Sequence, residues 1–165
     1  MLRIGRATYD AIVAHAKRDH PDEACGVVAG PEGSDRPERF VPMVNAAGSP
    51  TFYEFDPVDL LALYKRMWAS DEEPVVVYHS HTATEAYPSR TDVGLANEPN
   101  AHYVVVSTRE HGNSAGPVDF RSYRIVDGEV TEEEVVVEES RDPRPDRPVD
   151  QPTDEHPHEE PRSQA

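Results

Sequence analysis

Two histidines and an aspartate near the middle of the chain have the types and spacing of zinc ligands. His79 and His81 end the apolar run VVVYHSH, and alternate side chains of a strand point to one face, so both imidazoles can reach one point. Asp92 follows Pro88 and Ser89, a pair that predicts the end of a loop and the start of a helix, with Asp92 in its first turn. Two histidines and one carboxylate leave a fourth tetrahedral position for water, which is typical of catalytic rather than structural zinc.

The same residues have simpler interpretations. A histidine near a strand is commonly a surface or core residue, His-X-His pairs also arise by chance, and Ser89 can be only a helix cap. Glu23, in HPDEACGVVAG, precedes a short strand, a position compatible with an active site, although an exposed loop glutamate is the commoner case. The joint occurrence of both histidines, Ser89 and Asp92 at these offsets favours a site.

Other residues with ligand chemistry are assigned ordinary roles. Cys25 is expected to be a small buried residue rather than a metal ligand. We interpret His102 and His111 as structural or exposed. Four further residues of ligand type lie close together near the C-terminus: Glu155, His156, His158 and Glu159. A segment without packed surroundings binds metal weakly, so a solvated tail is the favoured interpretation there.

Hydrophobic periodicity and capping residues predict the helices. They are expected over residues 8–19, 56–68 and 89–97. Thr8 and Asp56 are suitable N-caps, and Pro57 suits the first helical position. The apolar face of the second helix indicates that it packs on a sheet.

Strands are predicted over residues 25–30, 38–44, 52–55, 74–81, 102–107, 120–126 and 130–137. The unbroken apolar run before His79 indicates a strand buried on both faces, and hence a central one. The last two strands are expected to pair as a hairpin across Asp127-Gly128. The histidines would therefore lie at the end of a central strand, where the chain is rigid and the site accessible.

Composition predicts one domain and a tail. A chain of 165 residues can bury one sizeable core. Residues 138–165 contain six prolines, nine acidic and four basic residues and almost no aliphatic ones. That composition cannot bury enough surface to offset the entropy of ordering, so we expect a domain over 1–137 and a disordered, acidic, proline-rich tail over 138–165.

Charge and cysteine content narrow the function classes. The net charge of −16 argues against a nucleic-acid backbone or an anionic membrane as the main partner. No apolar run is long enough to span a bilayer, and MLRIGRATYD lacks the apolar centre of a signal peptide, so a cytoplasmic location is expected. The single cysteine, Cys25, excludes an internal disulfide and a cysteine-rich structural zinc site.

Taken together, the motif residues resemble the signature of the JAMM (MPN+, JAB1/MPN/Mov34) zinc metalloproteases. Glu23 is followed by HSH at 79–81, seven residues, Ser89, two residues and Asp92, which matches every defining position. The similarity extends over nearly all of residues 1–137, and YHSHTATEAYPSRTD is most similar to the actinobacterial Mec branch, the CysO-cysteine peptidases. The resemblance implies an α/β fold of the cytidine-deaminase-like type, a JAB/MPN domain with a curved mixed sheet flanked by helices.

The resemblance also implies a role for each matching residue. His79, His81 and Asp92 would hold one zinc ion per chain. Glu23 would accept a proton from the zinc-bound water, and Ser89 would help to hold the oxyanion of the tetrahedral intermediate. The residue types agree with this chemistry, because zinc supplies hydroxide at neutral pH and a nearby carboxylate can carry the proton to the leaving amine.

Family members cleave after the C-terminal glycine of ubiquitin-like proteins. The Mec branch acts on a sulfur-carrier protein that ends in Gly-Gly and releases the cysteine built on it, which implies a role in cysteine biosynthesis. Arg90 and the loop 82–88 are candidates for holding the extended glycine tail. Thr82 departs from the proline that many members have after the second histidine, which concerns the shape of this loop and hence the substrate.

Other functions are compatible with parts of the pattern. A JAMM isopeptidase could act on another ubiquitin-like protein, and a non-catalytic MPN scaffold would share the fold, although such scaffolds typically lack the ligands. A zinc nucleoside deaminase has a related fold but needs a PCxxC segment, which one cysteine cannot provide.

Overall fold

The computed structural model describes residues 1–139 of the chain. In chain order, the elements are β1 (Leu2–Gly5), α1 (Arg6–Asp19), β2 (Cys25–Pro31), β3 (Arg39–Met43), α2 (Pro57–Ala69), β4 (Glu72–His81), α3 (Arg90–Leu95), β5 (His102–Ser107), β6 (Asp119–Val126), β7 (Glu129–Glu133) and β8 (Val135–Glu138).

A mixed sheet forms the centre of the fold. Its strand order is β3-β2-β4-β5-β6-β7, and β1 and β8 form a separate parallel pair. The strand β4 lies inside the sheet, antiparallel to β2 and parallel to β5. The prediction of an α/β fold with a mixed sheet and a central strand leading to the histidines is therefore confirmed.

Helices cover the two faces of this sheet. On one face, Ile12 of α1 packs with residues that include Val76 and Tyr78 of β4. On the other face, Leu63 and Met67 of α2 pack on β2. Because successive residues of β4 point to opposite faces, His79 and His81 lie on the side opposite to Tyr78. None of the helices within residues 1–139 has the length and apolar character needed to cross a membrane.

The predicted cap of the second helix is confirmed, and that of the first is wrong. Asp56 is the N-cap of α2, where its carboxylate accepts hydrogen bonds from the backbone of Val58 and Asp59 at 2.9 and 3.1 Å. By contrast, α1 begins at Arg6 with Gly5 as N-cap. The reason is β1, which was not predicted: it pairs with β8 and leads into the helix without a loop, so Thr8 already lies inside α1.

Two strand predictions are corrected. Residues 52–55 form no ladder, only an isolated bridge between Asn45 and Phe55, because the aromatic side chains of this segment pack on neighbouring rings. The predicted strand 130–137 breaks at Glu134 into β7, which pairs with β6 as expected, and β8, which leaves the sheet to pair with β1. The predicted tail lies outside the described residues, apart from Glu138 at the end of β8 and Glu139, which binds Arg6.

Candidate active site

The end of β4 and the start of α3 bring the three predicted metal ligands together. His79 and His81 are the first and third residues of the HSH segment, and both are buried. Asp92 is the third residue of α3. Its Oδ2 lies 3.1 Å from Nε2 of His79 and 3.2 Å from Nε2 of His81, and the two Nε2 atoms are 3.1 Å apart. Among the described residues, these three form the one group with the spacing of a metal site.

The geometry of this group fits a small divalent cation. Tetrahedral ligands at the usual zinc distances lie about 3.3 Å apart, close to the sides of the observed triangle. Nδ1 of His81 is 2.8 Å from the backbone oxygen of Glu85, to which it donates, so Nε2 of the neutral ring carries a lone pair. That lone pair faces an anionic oxygen of Asp92, an arrangement that a cation between the two stabilises.

The helix cap holds Asp92 in place. The backbone N–H of Ser89 donates to Oδ2 of Asp92 at 2.7 Å, and Oγ of Ser89 accepts from the backbone N–H of Asp92 at 3.1 Å. This reciprocal pair is a capping box, and it aims the same carboxylate oxygen at both histidines. Ser89 is therefore the predicted cap, while its role at an oxyanion stays a prediction.

Burial and pairing set the protonation of the ligands. Burial lowers the pKa of His79, which favours the neutral, metal-binding ring. Burial alone would raise the pKa of Asp92, but its pairing with both imidazoles outweighs burial and holds that pKa below the usual range. For His81, burial lowers the pKa and the bond to Asp92 raises it, with a net increase. Protons would therefore compete with a metal ion for Nε2 of His81.

Glu23 is buried beside this group, in contrast to an ordinary loop glutamate. It lies between α1 and β2 and is 5% exposed. Burial raises the pKa of Glu23 to about 7, with smaller electrostatic contributions from His81 and Asp92. A carboxyl group with a pKa near neutrality can both accept and return a proton, as a general base must.

Tyr53 is a site residue that the sequence analysis missed. Its ring stacks on the imidazole of His79, with centroids 4.6 Å apart and an angle of 23° between the planes. The stacking limits rotation of a ligand ring, and an edge contact with Phe55 holds Tyr53 in turn. The alternation of aromatic residues over 52–55 predicts a strand and gives no indication of a contact with His79.

The other predicted residues lie around the site. Arg90 is the exposed first residue of α3, beside Ser89. Thr82 donates from its hydroxyl to the backbone oxygen of Pro50 at 3.0 Å. Cys25 pairs with His79 in the β2–β4 register but is fully buried, and burial raises its pKa to about 12, as expected for a packed residue. His102 is buried and bonded to Glu133, which agrees with a structural role.

Comparison with known proteins identifies the family. A family model described as prokaryotic homologs of the JAB domain matches residues 5–126. The chain belongs to this family. The chain is 66% identical over 130 residues to the CysO-cysteine peptidase of Mycobacterium tuberculosis. This alignment covers 79% of the chain and 86% of that protein. The chain is therefore a peptidase, and the predicted family is confirmed.

Two further relatives extend the comparison. The desampylase of Haloferax volcanii is 32% identical over 111 residues, which are 64% of this chain and 80% of that protein. A solved structure from Desulfitobacterium hafniense superposes with a TM-score of 0.71 at 31% identity and covers 85% of this chain and 94% of the other. The family match over residues 5–126 and this superposition together cover most of the described residues.

Proposed function

We propose that this chain is a zinc-dependent peptidase that acts on a ubiquitin-like sulfur-carrier protein. It would hydrolyse the bond between the C-terminal glycine of the carrier and an attached cysteine, and so release cysteine for biosynthesis. The observation that carries the reaction is the convergence of His79, His81 and Asp92 beside buried Glu23. The substrate is supported by the 66% identity to the CysO-cysteine peptidase.

Each residue has a defined part in this reaction. His79, His81 and Asp92 would hold one zinc ion, which when bound would act as a Lewis acid that lowers the pKa of water and polarises the scissile carbonyl. Glu23 accepts the proton of the attacking water and passes it to the leaving amine. The hydroxyl of Ser89 accepts a hydrogen bond from Asp92 and keeps its own proton, which it can donate to the developing oxyanion.

The extended end of the carrier would lie beside α3. The exposed guanidinium of Arg90, next to Ser89, can donate to peptide carbonyls of a Gly-Gly tail as it approaches the metal. Thr82 and the loop that follows it would form the other side of this approach. Arg90 is thus assigned to substrate binding and not to the chemical step.

A second candidate function is a deconjugase that acts on a different ubiquitin-like protein, joined through an isopeptide bond. This second function is supported by the 32% identity of the chain to the desampylase of Haloferax volcanii. A non-catalytic scaffold is disfavoured, because the complete ligand set and a buried carboxylate with a raised pKa are present.

The substrate is tested by mass spectrometry. The zinc-loaded chain is mixed with a carrier that ends in Gly-Gly-Cys and, separately, with the same carrier joined to a lysine side chain. We expect the first substrate to lose one cysteine residue and to end in Gly-Gly. Cleavage of the lysine conjugate alone would support the deconjugase instead, and hydrolysis of neither would reject both.

The metal assignment predicts the effect of His79→Ala. This variant should lose bound zinc and reduce hydrolysis at least about a thousandfold, or about 4 kcal/mol of transition-state stabilisation. Zinc content is measured by elemental analysis and turnover with the cysteine conjugate. His111→Ala, a histidine substitution away from the site, is the matched control and should keep both. Full activity of zinc-free His79→Ala would contradict the proposal.

A further inference from the structure

The loop over residues 45–55, here called the Asn45 loop, contacts both halves of the site. On one side, the backbone oxygen of Ser49 accepts from the N–H of Glu23 at 3.0 Å. On the other side, the backbone oxygen of Pro50 accepts from the hydroxyl of Thr82, directly after the second histidine. Tyr53 of the same loop stacks on His79. The loop therefore bridges the proton acceptor and a metal ligand.

One side-chain amide organises this loop. Nδ2 of Asn45 donates to the backbone oxygens of Glu23 and Phe52 at 3.0 and 2.9 Å. Oδ1 of Asn45 accepts from the backbone N–H groups of Ala47 and Glu54 at 3.0 and 3.1 Å. The amide has two donors and two acceptor sites, so its hydrogen-bonding capacity is fully used. Phe52 and Glu54 flank Tyr53, so the amide fixes the peptide groups on both sides of that residue.

The strand β4, which carries the two histidines, is hydrogen-bonded to the residue after Glu23. Oγ of Ser80, between the two histidines, accepts from the N–H of Ala24 at 2.8 Å, and the N–H of Ser80 donates to the oxygen of Ala24 at 2.9 Å. Within residues 1–139, the side-chain hydrogen bond to Glu23 goes to its backbone oxygen, and no hydrogen bond contributes to the pKa of its carboxyl group. Its direction is therefore set through its backbone, by Ser80 on one side and the Asn45 loop on the other.

We propose that Asn45 is a positioning residue for the peptidase reaction, because its amide fixes both the backbone of Glu23 and the segment that stacks on His79. This inference rests on the proposed function, in which Glu23 accepts the proton of water. Asn45 itself touches neither substrate nor metal in this assignment. It acts through Glu23 and Tyr53, so its loss should affect turnover more than metal binding.

Asn45→Asp is the sharpest test of this role. The substitution keeps the shape and an acceptor for Ala47 and Glu54 but replaces the donors to Glu23 and Phe52 by an oxygen. A displacement of about 1 Å at a reacting group costs about a hundredfold in rate, so we expect kcat for the cysteine conjugate to fall about 10- to 100-fold. KM and zinc content per chain should stay close to wild type, which a general loss of structure would not allow.

A second variant separates position from charge. Asn45→Ala removes the same donors without adding a negative charge beside Glu23, and it should show the same loss of kcat. Thr51→Ala, in the same loop but without a contact to Glu23, is the matched control and should keep wild-type kcat. Urea unfolding confirms that each variant is folded at the assay temperature, and Asn45→Ser replaces Asn45→Ala if the latter does not fold.

The outcomes distinguish this inference from the proposed function. Wild-type kcat in both Asn45 variants, with an active wild type, would overturn the positioning role alone. Loss of zinc in parallel with kcat, or an equal loss in Thr51→Ala, would also overturn it, since Asn45 would then only maintain the loop. A wild type that hydrolyses no conjugate would instead reject the proposed function and the positioning role with it.

Discussion

Two glutamates of this chain whose side chains are largely shielded from solvent have opposite acid–base properties. Glu23 is 5% exposed and has a pKa of about 7, whereas the side chain of Glu133 is 9% exposed and has a pKa of about 2. Burial raises the pKa of both. Glu133 accepts hydrogen bonds from His102, from Ser122 and from the amino group of Met1, which together outweigh burial. For Glu23, burial is the largest cause and nothing outweighs it.

The difference shows that partners rather than burial decide what a carboxylate can do. Glu133 joins β7 to β5, β6 and the start of the chain, so its charge stabilises the fold. Among the described residues, the carboxylate of Glu23 has no such hydrogen bonds, which costs stability but leaves a group that can exchange a proton near neutral pH. The two residues should therefore respond in opposite ways to the same substitution.

Turnover should give the largest contrast between them. We expect Glu23→Gln to bind zinc like wild type but to lose at least about a thousandfold in kcat, because only the proton acceptor is removed. Glu133→Gln, assayed at a temperature where it is folded, should keep kcat within about threefold. Activity is measured with the cysteine conjugate and zinc by elemental analysis. Full activity of Glu23→Gln would mean that another group accepts the proton.

Stability should give the next largest effect. The pKa of Glu133 is lowered from 4.5 to about 2 on folding, so its stabilisation is complete above pH 4.5 and is lost as the pH falls through 2. Because this carboxylate is partly exposed, solvent screening reduces the full effect of the shift, so Glu133→Gln should lower the free energy of unfolding by about 2–3 kcal/mol at pH 7, with a smaller deficit at pH 3. Urea unfolding at both pH values measures this, and an equal deficit at pH 3 would show that charge is not the cause.

The smallest effect has the opposite sign. The pKa of Glu23 is raised from 4.5 to about 7 on folding, so ionised Glu23 destabilises the zinc-free protein fully above pH 7 and not below pH 4.5. Glu23→Gln should therefore stabilise the zinc-free chain by about 2 kcal/mol at pH 8 and leave it unchanged at pH 4. Thermal unfolding after chelation tests this, and a destabilised variant at pH 8 would show that the carboxylate of Glu23 has a stabilising hydrogen-bond partner.

Much of the site could be predicted because its chemistry is local in sequence. His79 and His81 are two residues apart on one strand, and Ser89 and Asp92 are one helical turn apart, so periodicity and capping place each pair. The central position of β4 followed from its unbroken apolar run. The fold class and family followed from the matching motif, and the family comparison confirmed them.

What could not be predicted depends on contacts between distant segments. The break at Glu134 follows from the pairing of β8 with β1, which lies more than 130 positions away in the sequence. The local sequence around Glu134 therefore does not indicate this break. The burial of Glu23 and the hydrogen bond from Asn45 to its backbone oxygen likewise arise only when the loop 45–55 folds against the Glu23 segment. An asparagine before Ala-Ala-Gly is typical of any turn, so nothing in its neighbourhood indicated a link to the site.

The capping box limits which residues can replace Asp92. A single carboxylate both starts a six-residue helix, too short to persist alone, and faces the two imidazoles. Exchanging that residue for a thiol or a third imidazole would remove the acceptor that begins the helix and so displace the new donor as well. In the proposed metal site, the choice of ion would therefore depend on backbone geometry as well as on the ligand atoms, and position 92 would tolerate few substitutions.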